Sequence, residues 1–259
     1  MSNFAITRGI SATMGRCELV YKERKEIDLE LAQAQHAAYE RVIENLGYQL
    51  IRLPVMASYP CSAFVDDAAV ILDELAIITR SGSESRRGET DTISEALAPY
   101  RTLINMEPPC TMDGGDVLRI DKTLFVGHSE RTNLEGIEKL RSIVRPHGYN
   151  VKAVTVKNCP HLKAAVSKVA PGAVLLNPDR VDPVDFAEFV VINVAAGEPD
   201  AADTLLLSDH VLVPAGCPET CRQLDSLGIP LIELDDSELT KAESGLSGCT
   251  LAFRYPVEA

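Results

Sequence analysis

The stretch Asn133-Leu-Glu-Gly-Ile-Glu-Lys-Leu-Arg-Ser-Ile-Val-Arg-Pro-His147-Gly148-Tyr149-Asn-Val-Lys-Ala-Val-Thr-Val156 holds one complete structural unit. Its first fifteen residues form an amphipathic helical pattern, Gly148 supplies the left-handed stop that ends such a helix, and the remainder is a short apolar strand. The same plan recurs at Ile27 to Leu46 with Gly47 and the strand Tyr48 to Pro54, and at Glu219 to Leu227 with Gly228 and the strand Ile229 to Asp235. Two weaker copies lie between them, Asp91 to Pro99 before Arg101 to Met106, and Asp185 to Phe189 before Val190 to Val194. The strands begin near 48, 101, 149, 190 and 229, at intervals of 53, 48, 41 and 39 residues, so about five α/β units are expected. Strand pairs fill the gaps, such as Ala68 to Leu72 with Leu75 to Thr79 and Val117 to Ile120 with Thr123 to Val126. A Rossmann sheet would carry a glycine-rich phosphate loop after its first strand, and no Gly-x-Gly-x-x-Gly occurs. Repetition at this period suggests units about an axis, with loops converging on a central site. With no linker or low-complexity segment, residues 1–259 are expected to form a single domain.

At 259 residues with 46% hydrophobic content, the chain has ample material for a core. Its net charge of -13 argues against nucleic acid and anionic membranes and favours a cationic or small-molecule partner. The N-terminus lacks a basic region followed by an apolar run, and no stretch of about 18 apolar residues occurs. A cytoplasmic location is expected. Seven scattered cysteines (17, 61, 110, 159, 217, 221 and 249) then read as reduced thiols, not as a disulfide framework. Cys217 and Cys221 have no partner pair at zinc-site spacing, so no metal is expected.

Four polar clusters sit at turns between apolar runs: Phe64-Val-Asp66-Asp67, Ser85-Arg86-Arg87-Gly-Glu89, Met112-Asp113-Gly-Gly-Asp116 and Pro160-His161-Leu-Lys163. Each alone has an ordinary explanation as a cap, a tight turn, a solvated face or a structural hydrogen bonder. Cys249 adds a thiol after a glycine-rich turn, where it could reach a pocket mouth. A thiol, an imidazole, carboxylates and arginines together suit hydrolysis of a guanidinium. Carboxylates orient the planar cation, a thiolate attacks its carbon, a histidine protonates the departing amine, and arginines hold a distant substrate carboxylate. Nearby carboxylates also raise the thiol pKa, so a bound cation would be needed to lower it again.

These residues resemble the dimethylarginine dimethylaminohydrolase family, within the guanidine-modifying superfamily that also contains arginine deiminases and amidinotransferases. The matching blocks are Ile78 to Glu89, Asp113-Gly-Gly-Asp-Val117, Val126 to Asn133, His161-Leu-Lys163 and Ser237 to Glu243, in order along essentially the whole chain. The resemblance implies a five-bladed, pseudo-symmetric α/β propeller. It makes His161 the general acid and base, and Asp67 and Asp113 the guanidinium-binding carboxylates. Arg86 and Arg131 become the clamp on the substrate carboxylate, and Leu19 part of a mobile lid, while Cys61, Phe64, Asp66, Ala242 and Glu243 fall at further substrate-binding positions. The activity implied is cofactor-free hydrolysis through a covalent S-linked amidine, with release of an amine and a ureido product such as citrulline. The expected partner is a small cationic guanidino-acid, without nucleic acid or membrane, and a homodimer is left open.

Four positions depart from the family pattern, Cys61, Asp66, Asp203 and Gly248, with Asp66 standing where the family has glutamate. Cys61 stands where the family has an aspartate that helps to hold the α-ammonium, and Asp203 stands where it has asparagine. An ungapped match sets Gly248 on the nucleophile, with Cys249 one residue later. A one-residue shift along a strand turns a side chain to the opposite face, so Cys249 reaches the site only with a bulge, which Gly245 and Gly248 would permit. The alternatives are an engineered Cys-to-Gly replacement, a natural guanidino-ligand-binding homologue without hydrolysis, Cys61 as a substitute nucleophile, or amidino transfer to an amine.

Overall fold

The computed structural model describes residues 1–256. Five three-stranded sheets follow one rule: a hairpin of two antiparallel strands, then a third strand added in parallel after a helix or short helical turn. The pairs are β3 (Ala69–Ile71) and β4 (Leu75–Ile78) with β5 (Thr102–Asn105), and β6 (Val117–Ile120) and β7 (Thr123–His128) with β8 (Asn150–Thr155). Then come β9 (Val166–Ala170) and β10 (Ala173–Leu176) with β11 (Val190–Asn193), and β12 (Leu205–Leu207) and β13 (His210–Pro214) with β14 (Leu231–Leu234). In the remaining sheet β1 (Ser2–Arg8) pairs in parallel with β2 (Tyr48–Leu53) and antiparallel with β15 (Leu251–Tyr255), Phe4 lying opposite Phe253. This blade joins the two ends of the described chain and so closes the ring.

Four of the expected helices form, three of them ahead of their glycine stops. They are α1 (Leu29–Asn45), α2 (Asp91–Leu97), α3 (Leu134–Val144) and α4 (Pro218–Ser226). Asp28 accepts from Leu31 N and Asn133 from Gly136 N, each capping the first turn of its helix. Gly148 adopts φ 78°, as a left-handed helix stop requires. The weakest expected helix, Asp185 to Phe189, is one 3-10 turn over Pro183–Phe186, because Pro183 and three residues of clear helical length leave nothing to extend it.

The first strand of each hairpin lines the axis. Ala69, Val117, Ser167, Leu205 and Leu251 all face an axial cavity of about 460 Å³. The helices pack outside, so the buried cores lie between helix and sheet and between neighbouring blades. No helix among the described residues is long and apolar enough to cross a membrane.

Candidate active site

Short 3-10 turns precede three of the inner strands, Val65–Ala68, Gly114–Asp116 and Leu162–Ala164, with a fourth at Leu246–Cys249. They bring residues from four blades to one end of the axis. Three side chains meet there: His161 Nε2 lies 3.2 Å from Asp113 Oδ2 and 3.6 Å from Asp67 Oδ1. The glycines of Asp113-Gly-Gly-Asp116 permit this approach, since a β-carbon on Gly115 would come within 2.6 Å of Asp67 Oδ1 and 2.9 Å of the His161 ring. Gly115 N donates to Asp67 Oδ1 at 3.0 Å.

Burial opposes the imidazolium of His161, but the charge of Asp67, the hydrogen bond to Asp113 and the charge of Asp116 outweigh it and raise its pKa to about 9. Burial likewise opposes ionisation of Asp67, yet His161, Arg86 and the Gly115 amide hold it down at about 2. Asp113 is fully buried, and its Oδ1 has no hydrogen-bond partner. A buried carboxylate oxygen left open in this way is a ready acceptor for a donor brought by a ligand. The ligand atoms of Asp67, Asp113 and His161 lie within 4.8 Å of one another, a grouping that could also hold a metal ion. A metal would have to displace a proton from His161, which the neighbouring carboxylates hold in its charged form.

The remaining sequence-derived positions divide. Phe64 is buried and lies 3.5 Å from where a β-carbon on Gly248 would sit. Ala242 is buried beside it in the segment leading to the turn, and Leu19 is half-buried in the loop that covers this end. Cys61 is buried against the same core, and its carbonyl accepts from Arg86 Nη2 at 3.3 Å.

Four expected roles are revised. Arg86 is not an open clamp: Nη1 donates to Asp67 at 2.5 Å, Nε and Nη2 to Glu89, and Nη2 also to the Phe64 carbonyl, so the guanidinium is a buried strut under Asp67. Asp66 gives both oxygens to Lys163 Nζ at 2.8 Å in the wall of the axial cavity. Burial pushes Asp66 up to about 6 even so. Glu243 does not present its carboxylate to the site either. It accepts from the amides of Val20, Tyr21 and Lys22 at 2.5 to 3.0 Å and so latches the Leu19 loop. Cys249, finally, is wholly buried in the cluster that contains Tyr39 and Leu246, its Sγ 3.6 Å from the Gly245 carbonyl. Burial and then Asp203, Asp236, Asp66 and Asp67 push its thiol pKa well above the ordinary range. No bulge re-aims it, because Leu246–Cys249 is a regular 3-10 turn.

The position that does face Phe64 is Gly248. A β-carbon there would overlap the Ser244 hydroxyl and otherwise touch Phe64 at 3.5 Å. Arg131 remains at the mouth with 15% side-chain exposure, and its Nη1 meets Glu18 at 3.2 Å. Glu18 also accepts from Ser83 and Ser85 at 2.6 Å each.

Two further residues carry the geometry. Asp116 accepts from Ser129 and Thr132 at 2.6 Å and from the Leu162 amide at 3.0 Å, which ties the His161 loop to the Asp113 turn. Glu18 and Glu243 fix the covering loop from both ends. Asp116 was visible in the Asp-Gly-Gly-Asp spacing, whereas Glu18 had no local signal because its partners are 65 to 113 residues away.

Five blades about an axis, with a carboxylate pair and a histidine at one end, define the guanidine-modifying class of α/β propellers. The arginine deiminase family model matches residues 95–167. Over 228 residues the chain is 32% identical to the N(G),N(G)-dimethylarginine dimethylaminohydrolase of Pseudomonas aeruginosa, covering 87% of this chain and 90% of that protein. The enzyme of the same name from Streptomyces coelicolor is 34% identical over 255 residues, 98% of each chain. A crystal structure of the Pseudomonas aeruginosa protein in complex with citrulline superposes with a TM-score of 0.92 at 30% identity, over 98% of this chain and all of that one. The chain belongs to the dimethylarginine dimethylaminohydrolase family, whose close members are named as hydrolases of amidine C–N bonds.

Proposed function

We propose that the protein hydrolyses a substituted guanidine carried on a carboxylic acid, in the manner of the methylated-arginine hydrolases to which it is related, and that it does so within one closed domain without a cofactor. The observation that carries this reading is the convergence of Asp67 Oδ1, Asp113 Oδ2 and His161 Nε2, with Asp113 Oδ1 unpartnered. The two carboxylates accept N–H donors from the planar cation against the Phe64 face. A thiolate forms a C–S bond to the guanidine carbon, and His161 delivers its proton to the amine as that C–N bond breaks. Water then attacks the amidine carbon and gives a proton back to His161; the C–S bond breaks, leaving a ureido product and the thiol. Arg131 at the mouth suits the substrate carboxylate, once Glu18 withdraws from it.

Cys249 is the thiol next to Gly248 in the turn that faces Phe64, and to reach the guanidine carbon it must leave its buried cluster and displace the Ser244 hydroxyl, which stands where a β-carbon on Gly248 would be. Its raised pKa keeps it protonated until a cation sits among the carboxylates, which couples nucleophile activation to substrate. The test is amine release from methylated arginines. The wild type should release amine, and His161→Ala should lose at least about a hundredfold; unchanged turnover in that variant would end the assignment of His161.

A second reading is favoured by one observation, the complete burial of Cys249 behind a residue without a side chain. On that reading the pocket binds guanidino-acids and performs no covalent step. Calorimetric binding with no amine release would establish it, and any turnover abolished by Cys249→Ala would exclude it.

A further inference from the structure

A second, smaller cavity of about 40 Å³ lies beside the Thr240 to Ser244 segment, between the covering loop and the turn that ends at Cys249. Asp203 and Asp236 both line it, 9% and 5% exposed. Their Oδ2 atoms converge on one point, 2.7 and 3.2 Å from where a β-carbon on Gly245 would be. Asp236 Oδ2 is buried with no hydrogen-bond partner, and Asp203 uses only Oδ1, which accepts from Ser247 N at 3.2 Å. The neighbouring cations are engaged elsewhere: Lys22 and Arg180 both pair with Asp200. Glu243, also in the wall, takes the loop amides. Two buried carboxylates therefore face a partly open space that Lys22 and Arg180 also line without bonding to either, and desolvation penalises such a pair unless it takes up a proton, as the rise of Asp236 to about 7 favours, or something positive occupies the space.

We propose that this cavity binds a compact ammonium-type cation. A buried water requires about 10–15 Å³ on this measure, so the space admits about three water-sized groups, the size of ammonium, methylammonium or dimethylammonium. A divalent metal fits poorly. Calcium wants six to eight oxygens, and among the described residues the one grouping of three carboxylate, imidazole or thiol ligands within 4.8 Å is Asp67, Asp113 and His161. Ammonium N–H donors match two carboxylate acceptors, with the Ser244 hydroxyl at the same wall. If the proposed hydrolysis holds, the amine it releases belongs to this class, and that assignment alone rests on the hydrolase reading.

The experiment is a thermal-shift and calorimetric titration at pH 8 and constant ionic strength with ammonium, methylammonium, dimethylammonium, tetramethylammonium and sodium chlorides. The first three should raise Tm saturably, while sodium and tetramethylammonium should not. Asp236→Asn, isosteric and relieved of an uncompensated charge, should weaken dimethylammonium at least tenfold, and Asp203→Asn should do the same independently. Equal shifts with sodium and dimethylammonium, or wild-type affinity in both variants, would overturn the site. Inhibition of amine release by dimethylammonium in the wild type but not in Asp236→Asn would assign the released amine as occupant. Turnover indifferent to saturating dimethylammonium would overturn that assignment and leave hydrolysis standing.

Discussion

Replacing Gly248 with cysteine places a thiol directly on the side of the turn that faces Phe64. The structural cost follows from what the new β-carbon meets. It overlaps one atom, the Ser244 hydroxyl oxygen, and its other neighbours, Phe64 Cδ1 and Ser244 Cβ, stand at 3.5 and 3.6 Å, which is ordinary contact. Turning the Ser244 hydroxyl to another staggered rotamer costs about 1 kcal/mol. Gly248 is not in the left-handed region, so a side chain brings no backbone strain and restricts the unfolded chain, a gain of about 0.4–1 kcal/mol. The two nearly cancel, and for a chain of this size Tm should move by no more than about 2–4 °C. The chemical consequence is larger, because attack no longer requires Cys249 to leave a fully buried site in which burial and four carboxylates suppress its thiolate. Amine release from a methylated arginine by Gly248→Cys should exceed that of the wild type by roughly a hundredfold, and His161→Ala added to it should remove the gain. Gly248→Ser should fold as well and show no gain. A folded Gly248→Cys protein that releases no more amine than the wild type would refute the placement of residue 248 at the reacting centre.

Other consequences are measurable on the same material. The imidazolium of His161 persists to about pH 9 when folded against 6.5 for an unperturbed histidine, so its contribution to stability is fully present below pH 6.5 and lost as the pH rises through 9. The urea-derived stability difference between wild type and His161→Gln should therefore shrink by on the order of 3 kcal/mol between pH 6 and pH 9.5, and a constant difference would contradict the raised pKa. Arg86→Met leaves buried Asp67 and Glu89 without their cation; a loss of about 3–5 kcal/mol, roughly 6–20 °C in Tm, is expected, and a shift of a few degrees would show that Arg86 is not the strut described. Cys61→Asp places a carboxylate where the family resemblance implies one. It should lower KM for substrates with a free α-amine by about one to two decades with kcat little changed, whereas an unchanged KM would place the amine elsewhere.

The ring of five units was legible because three of the helices end on a glycine with a strand following at once, signals contained within about 25 residues, and the two weaker copies fall between them. Gly47, Gly148 and Gly228 all adopt the positive φ their positions imply. The hairpins β9–β10 and β12–β13 were not among the strand pairs expected from sequence. The pairing of β1 with β15 was also out of reach, because it joins residues some 250 positions apart. At the site, Asp67, Asp113 and His161 were singled out by the family resemblance, since each of their clusters alone has an ordinary explanation as a cap, a tight turn or a structural hydrogen bonder. Residue type alone could not show that the guanidinium of Arg86 is consumed by Asp67 and Glu89, nor that Glu243 is turned to the loop amides 221 to 223 residues earlier. The face taken by Cys249 was decided by a single residue of register in a turn flanked by two glycines. Asp203, visible in sequence as an added charge, acquires meaning only beside Asp236.

The account turns on whether a thiol reaches the guanidinium site when a cation fills it. Treating the protein with a small chloro-amidine, with and without competing methylarginine, and mapping modified cysteines by peptide mass spectrometry addresses this directly. Selective labelling of Cys249 that methylarginine suppresses is expected, with slow reaction of the same thiol towards an uncharged alkylating agent. Labelling of Cys249 no greater than that of the other six cysteines would contradict it and leave a guanidinium pocket without a working nucleophile.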